Sequence, residues 1–192
     1  LDAESAHNRI LHNTLDAVSE GGEIAREAIA VDGSADNIIA GNSLPEVSSG
    51  GIFVYRNCGE GGAVRHQEPR RNLIAGNAFV PAEADPFLPP VWIGSRNEGG
   101  VFRLLWCEED DGYPFGSSAS DLDFARDSIV ADNAFQAPAL TGMIRVHDRP
   151  THLIDNEAVA EAMPRQAACA VFFAGERPLY LREGEMHRGL TC

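Results

Sequence analysis

A short phrase containing asparagine recurs along the chain and restricts the folds open to it. Each copy has an aliphatic residue three positions before an Asn and an apolar residue two positions after it. The copies occupy residues 8–15, 37–44, 72–79, 128–135 and, in a weaker form, 153–159. Repeats spaced by roughly 20–50 residues are typical of solenoids, in which each repeat buries its apolar face against its neighbours.

A second phrase precedes four of the Asn turns and has the alternation of a short β-strand. β-Branched or other apolar residues occupy every second position, which is the period of a strand with one buried face. The four copies are residues 29–32, 52–55, 91–94 and 144–147, and residues 171–173 form a candidate fifth.

The order strand, Asn turn, strand, Asn turn predicts a parallel β-solenoid, because no long amphipathic helix pattern intervenes. The one helix-like stretch, residues 156–168, is rich in Ala but is interrupted by Pro164. Asn suits such a turn because it tolerates the left-handed backbone region and its amide can bond to the local backbone. Stacked on one another, the Asn side chains are expected to form an amide ladder.

The repeats resemble the right-handed parallel β-helix of the pectate-lyase-like superfamily, on the phrases at residues 51–60 and 72–79. The resemblance covers residues 8–173 and implies an all-β fold of about five coils in one domain, residues 1–192. The superfamily includes pectate and alginate lyases, polyuronate epimerases, glycosidases, phage tailspikes and adhesins. It therefore implies a polysaccharide ligand without choosing a reaction.

The spacing from strand to Asn turn predicts loop insertions in the second and third coils, of about 12 and about 29 residues. Both fall at the same corner, so they are expected to lie side by side, and such loops often carry function. Each contains one cysteine, Cys58 and Cys107. Coils stack about 4.8 Å apart, so a disulfide between these two is feasible.

The remaining cysteines, Cys169 and Cys192, are then left for each other. Four cysteines without Cys-x-x-Cys spacing do not suggest a zinc site, and an even count favours two disulfides in an oxidising compartment. The alternative is four unpaired thiols in a cytosolic protein. The disulfide reading predicts a secreted or periplasmic protein.

The ends of the chain carry two further expectations. The chain begins at Leu1 without a leader, which suggests a removed signal peptide or a piece of a longer solenoid whose N-terminal coils, or a partner chain, lie elsewhere. At the other end, residues 175–192 are predicted to cap the open coil, because unpaired strand edges invite pairing.

The strand residues between the inward positions define two outward rows. The first row is Ala30, Phe53, Trp92 and Arg145, and the second is Asp32, Tyr55, Gly94 and His147. Aromatic faces and forked Arg side chains suit a groove for an acidic polysaccharide. We therefore predict substrate binding by a set of aromatic and Arg side chains: Phe53, Arg56, Trp92 and Arg96.

The same rows carry the alternative interpretation. The inserted loops would cover the aromatics, which would then form a small separate core. The charged members, Arg56, Arg145 and His147, would be an ordinary solvated ladder. The sequence leaves this choice open.

The chemistry open to such a groove is limited by composition. All 15 basic residues are Arg, so mechanisms that need a lysine are excluded, including the Arg-plus-Lys scheme of some lyases in this superfamily. Proton transfer is left to Arg, His or Tyr, and the predicted catalytic residues are Arg145, His147 and Tyr55. A uronate lyase or epimerase is favoured over a hydrolase. The alternative is a non-catalytic carbohydrate-binding, surface or assembly module.

The acidic residues bear on metal binding and on the kind of partner the chain can bind. The run Glu108, Glu109, Asp110 and Asp111 in the longer insertion could bind Ca²⁺, although a solvated acidic loop is the alternative. A formal net charge of -14 argues against nucleic acid as a partner. No apolar run reaches the ~18 residues of a membrane span.

Overall fold

A computed structural model of the chain describes residues 1–2, 4–16, 27–56, 67–81, 88–94, 125–147 and 151–165. Beyond these it describes four strands, at residues 170–174, 177–181, 186–187 and 190–191. The described part of the chain is entirely β, with no helix, as the sequence predicts.

Three parallel sheets are formed by strands that follow one another in rotation along the chain. Sheet 1 contains β1 (Arg9–Leu11), β4 (Ile38–Ala40), β7 (Leu73–Ala75), β10 (Ile129–Ala131) and β13 (His152–Ile154), in that order. Sheet 2 contains β2 (Thr14–Asp16), β5 (Ser43–Val47), β8 (Ala78–Pro81), β11 (Ala134–Gln136) and β14 (Glu157–Val159). Sheet 3 contains β3 (Ile29–Asp32), β6 (Ile52–Tyr55), β9 (Val91–Ile93) and β12 (Ile144–Val146).

The chain visits sheet 3, sheet 1 and sheet 2 in turn and then returns to sheet 3 one strand further along. Every pairing within these sheets is parallel. Stacked parallel sheets visited in rotation are compatible with a parallel β-helix. In the described part of the chain, no helix has the length and apolar character needed to cross a membrane.

The space between the sheets is filled by one inward residue row from each sheet. Sheet 1 contributes β-branched residues, and sheet 2 contributes Leu44 and the stacked rings of Phe79 and Phe135, whose centroids are 4.9 Å apart. The inward residues of sheet 3 are those that the alternation predicts: Ile29, Val31, Ile52, Val54, Val91 and Ile93, with Ile144 and Val146 packed at the end.

The predicted amide ladder lies at the turn between sheets 1 and 2. Side-chain amides donate from each coil to the Oδ1 atom of the next, over 2.8–3.1 Å. The members are Asn13, Asn42, Asn77, Asn133 and Asn156. The three central members, Asn42, Asn77 and Asn133, have no exposed surface, so the ladder satisfies polar groups that would otherwise be costly to bury.

The prediction that the ladder Asn itself adopts the left-handed conformation is wrong. The left-handed residue is the one before the Asn, as at Gly41 and Gly76 with φ of 63° and 62°, and at Asp132 with φ of 53°. The Asn itself keeps negative φ, and its side chain reaches the neighbouring coils. The turn therefore uses two residues: a left-handed residue that reverses the chain and an Asn that stacks.

A second ladder, which the sequence pattern did not predict, lies at the turn between sheets 3 and 1. Asn8 donates to Asn37 over 2.9 Å, and Asn37 donates to Asn72 over 2.8 Å. Each follows a left-handed residue, as in the first ladder. At the next coil Ser128 takes the ladder position, because Ile129 pairs with Leu73.

The break at Ser128 leads to a stability prediction. Ser128 has no exposed surface, and neither its hydroxyl nor the buried Thr151 hydroxyl in the described part makes a hydrogen bond. Ser128→Asn places an Oδ1 next to the Asn72 amide and an Nδ2 next to Thr151. We expect the free energy of unfolding to rise by about 1 kcal/mol, measured by urea unfolding.

Ser128→Ala is the matched control. The hydroxyl makes no hydrogen bond, so its removal is expected to change stability by less than about 0.5 kcal/mol. A loss of stability in Ser128→Asn comparable to that of an overpacked core would show that the site lacks room for an amide.

Two expectations for the C-terminal region need correction. Part of the helix-like stretch is strand β14, because the Asn156 turn and the pairing with β11 outweigh the helix propensity of Ala. Residues 171–173 belong to β15 (Ala170–Ala174), which pairs antiparallel with β16 (Arg177–Leu181) and does not extend sheet 3. A second antiparallel pair joins β17 (Met186–His187) and β18 (Leu190–Thr191).

Candidate functional site

The outer face of sheet 3 brings the two predicted outward rows into register. Ala30 pairs with Phe53, Phe53 with Trp92, and Trp92 with Arg145. Asp32 pairs with Tyr55 in the second row. The β-alternation therefore places these side chains on the side of the sheet opposite to the core.

The aromatic members of this face are buried. Phe53, Tyr55 and Trp92 are 1%, 1% and 2% exposed, and they form a hydrophobic cluster separate from the core between the sheets. The rings of Phe53 and Trp92 lie 5.7 Å apart at 56°. This is the small separate core of the alternative interpretation, and the substrate-binding roles of Phe53 and Trp92 stay predictions.

Arg145 and His147 lie at the accessible end of this cluster. The Arg145 guanidinium carbon is 4.4 Å from the centre of the Trp92 ring, a cation–π distance. The His147 ring meets the same indole at 5.6 Å and 64°. Arg145 Nε donates to His147 Nε2 over 3.1 Å. Arg145 is half-buried and His147 is exposed, so the pair faces solvent on a rigid aromatic base.

This geometry limits what each group can do. The Arg145 Nε donates to His147 and holds the guanidinium beside the imidazole. A guanidinium is a group that pairs with carboxylates and sulfates through forked N–H donors. In this arrangement His147 Nε2 is an acceptor, so its other ring nitrogen carries the proton. The site is therefore suited to binding a carboxylate or sulfate beside an imidazole.

Tyr55 has a partner that sequence reasoning missed. Its hydroxyl donates to Glu27 Oε1 over 2.5 Å. Glu27 lies two residues before β3, and no motif in the sequence marks it as a partner of Tyr55. Tyr55 and His147 are not neighbours in the second row, because Gly94, which has no side chain, lies between them.

The remaining predicted site residues are only partly described. Arg56 follows β6 and has no exposed surface, so its side chain belongs to the buried part of the structure and its binding role stays a prediction. The other predicted residues lie outside the described residues: Arg96, Glu108, Glu109, Asp110, Asp111, Cys58, Cys107, Cys169 and Cys192. Among the residues that are described, no three metal-ligating side chains cluster closely enough to bind an ion.

A cavity of about 330 Å³ lies on the outer face of sheet 1, away from the predicted rows. Arg71 and Asp36 border it and form a two-bond ion pair of 2.5 and 2.6 Å. The hydrogen bond to Asp36 raises the pKa of Arg71, which burial opposes. Asp36 and Arg71 both have a left-handed backbone conformation, and each directly precedes an Asn of the second ladder, Asn37 or Asn72. This shared position is recognisable only when the repeats are superposed on those two Asn residues.

Comparison with known proteins gives no relative for this chain. No family model, curated protein or solved structure matches it.

Proposed function

We propose that this chain is a parallel β-helix protein that binds an acidic polysaccharide on the outer face of sheet 3. The contact that carries the proposal is Arg145 stacked on Trp92 and bonded to His147. A guanidinium fixed in this way loses little side-chain freedom when it binds a carboxylate, which favours binding.

The proposal extends to the handedness and the number of the coils. We propose right-handed coils, about five in number, of the kind in the pectate-lyase-like superfamily. The connections between sheets 3 and 1 support two insertions, because residues 33–37 and 147–151 are short links whereas residues 56–72 and 94–128 are long ones. The two long links start beside Tyr55 and Gly94, so they would flank the proposed groove.

The charge of the chain sets a condition on this function. A formal net charge of -14 repels a polyanion at long range, so attraction must come from positive groups at the site itself. Arg145 is such a group. The predicted substrate-binding residue Arg96 and a Ca²⁺ ion bound at Glu108–Asp111 would add to the positive charge of the site. Secretion and the disulfides Cys58–Cys107 and Cys169–Cys192 remain part of the proposal.

The binding test compares Arg145→Gln with the unchanged chain by titration calorimetry on polygalacturonate and on neutral dextran. Loss of a charged hydrogen-bond donor should weaken polygalacturonate binding at least about tenfold. The melting temperature should change little, because Arg145 is half-buried at the end of the cluster.

Arg126→Gln is the matched control, since it removes the same charge from an exposed side chain that pairs at 3.8 Å with Glu68. Its affinity should equal that of the unchanged chain. Equal affinity of Arg145→Gln and the unchanged chain, or equal binding of dextran and polygalacturonate, would contradict the proposal.

Uronate elimination or epimerisation is the second candidate function, and the Tyr55–Glu27 contact favours it. A phenol bonded to a carboxylate is an acid–base pair, and Arg145 would neutralise the uronate carboxylate. His147 or Tyr55 would remove the C5 proton; in elimination the C4–O bond then breaks and the leaving oxygen takes up a proton, whereas in epimerisation a proton returns to C5 from the opposite face. Binding is preferred because Tyr55 is buried and His147 Nε2 is occupied by Arg145. Ultraviolet absorbance of an unsaturated product on polyuronates would establish a lyase, and its loss in Tyr55→Phe would assign the tyrosine.

A further inference from the structure

The cavity on the outer face of sheet 1 is built by three consecutive coils. The first residue of each of β1, β4 and β7 borders it, together with turn residues that precede these strands. Its volume of about 330 Å³ is at the lower end of the range for small-molecule sites, about 300–1,000 Å³. All of its lining lies in the described part of the chain: His7, Asn8, Arg9, Asp36, Asn37, Ile38, Arg71 and Leu73.

The two amide side chains of the lining are committed to the second ladder. Asn8 donates its Nδ2 to Asn37 Oδ1 over 2.9 Å. Asn37 in turn donates its Nδ2 to Asn72 Oδ1 and to Ser34 Oγ, over 2.8 and 2.9 Å. The chemistry that the cavity offers to a ligand is therefore decided by its charged and apolar members.

The charged members give the cavity a local positive charge. Arg71 donates two hydrogen bonds to the carboxylate of Asp36, so these two charges largely cancel and the guanidinium is held in place. Arg9 is exposed and supplies a second guanidinium, and the exposed imidazole of His7 lies on the same lining. Two Arg against one Asp leave a net positive charge, which attracts an anion even though the whole chain carries a formal charge of -14.

The apolar members indicate that this anion is an organic one. Ile38 is half-buried and Leu73 is buried, and both belong to the apolar cluster on the outer face of sheet 1. They form the floor of the cavity beside the charged wall. An inorganic anion gains nothing from such a floor, whereas an apolar ligand group that covers it removes apolar surface from water.

We propose that this cavity binds a small organic carboxylate, with its charged group beside Arg9 and His7 and its apolar part on Ile38 and Leu73. The forked N–H donors of a guanidinium match the two oxygens of a carboxylate. A single net positive charge suits a ligand with one negative charge, because Asp36 would repel a second one. The proposal is independent of polysaccharide binding on sheet 3, since the two sites share no residue.

The test is an NMR titration of the 192-residue chain with benzoate, which combines one carboxylate with an apolar ring. The methyl signals of Ile38 and Leu73 should shift and saturate with a single Kd. Benzamide has nearly the same shape without the charge, and inorganic phosphate has charge without an apolar part. Each should bind at least about tenfold more weakly than benzoate.

Two substitutions in the lining should weaken benzoate binding. Arg9→Gln removes the guanidinium and should raise the Kd at least about tenfold. His7→Asn should raise it about threefold, and Asn is chosen because His7 has a φ of 59°, which Asn tolerates. Both side chains are exposed, so the melting temperature should change little in either variant.

Arg70→Gln is the matched control. Arg70 is exposed and adjoins the cavity wall, since its carbonyl oxygen accepts from Asp36 N, but its side chain does not line the cavity. This variant loses the same charge as Arg9→Gln and should keep the Kd within about twofold, because exposed charges at a distance are screened. Arg145→Gln should also keep the Kd, which separates this site from the one on sheet 3.

Four outcomes would overturn the proposal. The first is the absence of saturable shifts with benzoate, and the second is shifts that centre on Trp92 and His147 instead of Ile38. The third is binding of benzamide or phosphate as tight as that of benzoate, because either result would remove one half of the recognition. The fourth is an equal Kd for Arg9→Gln and Arg70→Gln.

Discussion

Asn77→Ala is expected to lower the free energy of unfolding by about 3 kcal/mol, because it removes the centre of a buried ladder. The Asn77 Oδ1 accepts from both the backbone N–H and the Nδ2 of Asn42, at 3.0 and 2.9 Å. Its own Nδ2 donates to Ile39 O and to Asn133 Oδ1, each at 3.0 Å. The alanine side chain cannot make any of these bonds, and water cannot replace them because Asn77 has no exposed surface.

The cost comes mostly from the groups left behind. Two buried donors of Asn42 lose their acceptor, and a buried donor without a partner costs about 1–3 kcal/mol. The ladder connects coils that are far apart in sequence, so the loss should appear as a lower urea midpoint with an unchanged slope.

Asn13→Ala is the matched control, because Asn13 occupies the same turn position in an exposed end coil. Its Nδ2 donates to Asn42 and Leu11, but the backbone N–H of residue 13 still bonds to Asn42 Oδ1 after the substitution. The expected loss is less than about 1 kcal/mol. Equal losses in the two variants would show that the ladder does not contribute to stability in proportion to burial.

The ladder illustrates how much of this fold the sequence makes predictable. The spacing between an aliphatic residue and an Asn is a local sequence pattern that recurs once in each coil. Because the coils stack, this one pattern predicts the turn, the strands on either side of it and the row of inward residues. The ladder of Asn8, Asn37 and Asn72 was missed because Ser128 interrupts it and because its Asn precedes the strand rather than following it. The left-handed residue was assigned one position too late because Asn, Asp and Gly all favour that conformation.

The candidate site was predictable in its rows but not in its contacts. Period-two alternation places Trp92 and Arg145 side by side, and the register confirms that pairing. Alternation cannot show whether an outward aromatic is covered, since burial of Trp92 to 2% depends on neighbours distant in sequence. Glu27 was missed for a similar reason, because nothing local links it to Tyr55 in the next coil.

Gly51→Ala is the second substitution with a large expected effect, and its cause is lack of space rather than backbone conformation. A Cβ at Gly51 would lie 2.3 Å from the carbonyl oxygen of Pro90 and 3.0 Å from the ring of Phe79. The same Pro90 oxygen accepts from Ile52 N over 2.8 Å, at the start of the pairing between β6 and β9. A methyl group there must therefore displace backbone that holds two strands of sheet 3 together.

We expect Gly51→Ala to lower the free energy of unfolding by about 3 kcal/mol, at the upper end of the range for overpacked cores. Phe79 cannot yield easily, because its ring stacks on Phe135. Gly142→Ala is the matched control: its φ of 82° strains any side chain, but nothing lies within 4 Å of the new methyl group. Its expected loss is about 1–2 kcal/mol, from the backbone alone. Urea midpoints that rank Gly142→Ala as the more damaging variant would mean that conformation, and not the contact between sheets 2 and 3, requires glycine at these turns.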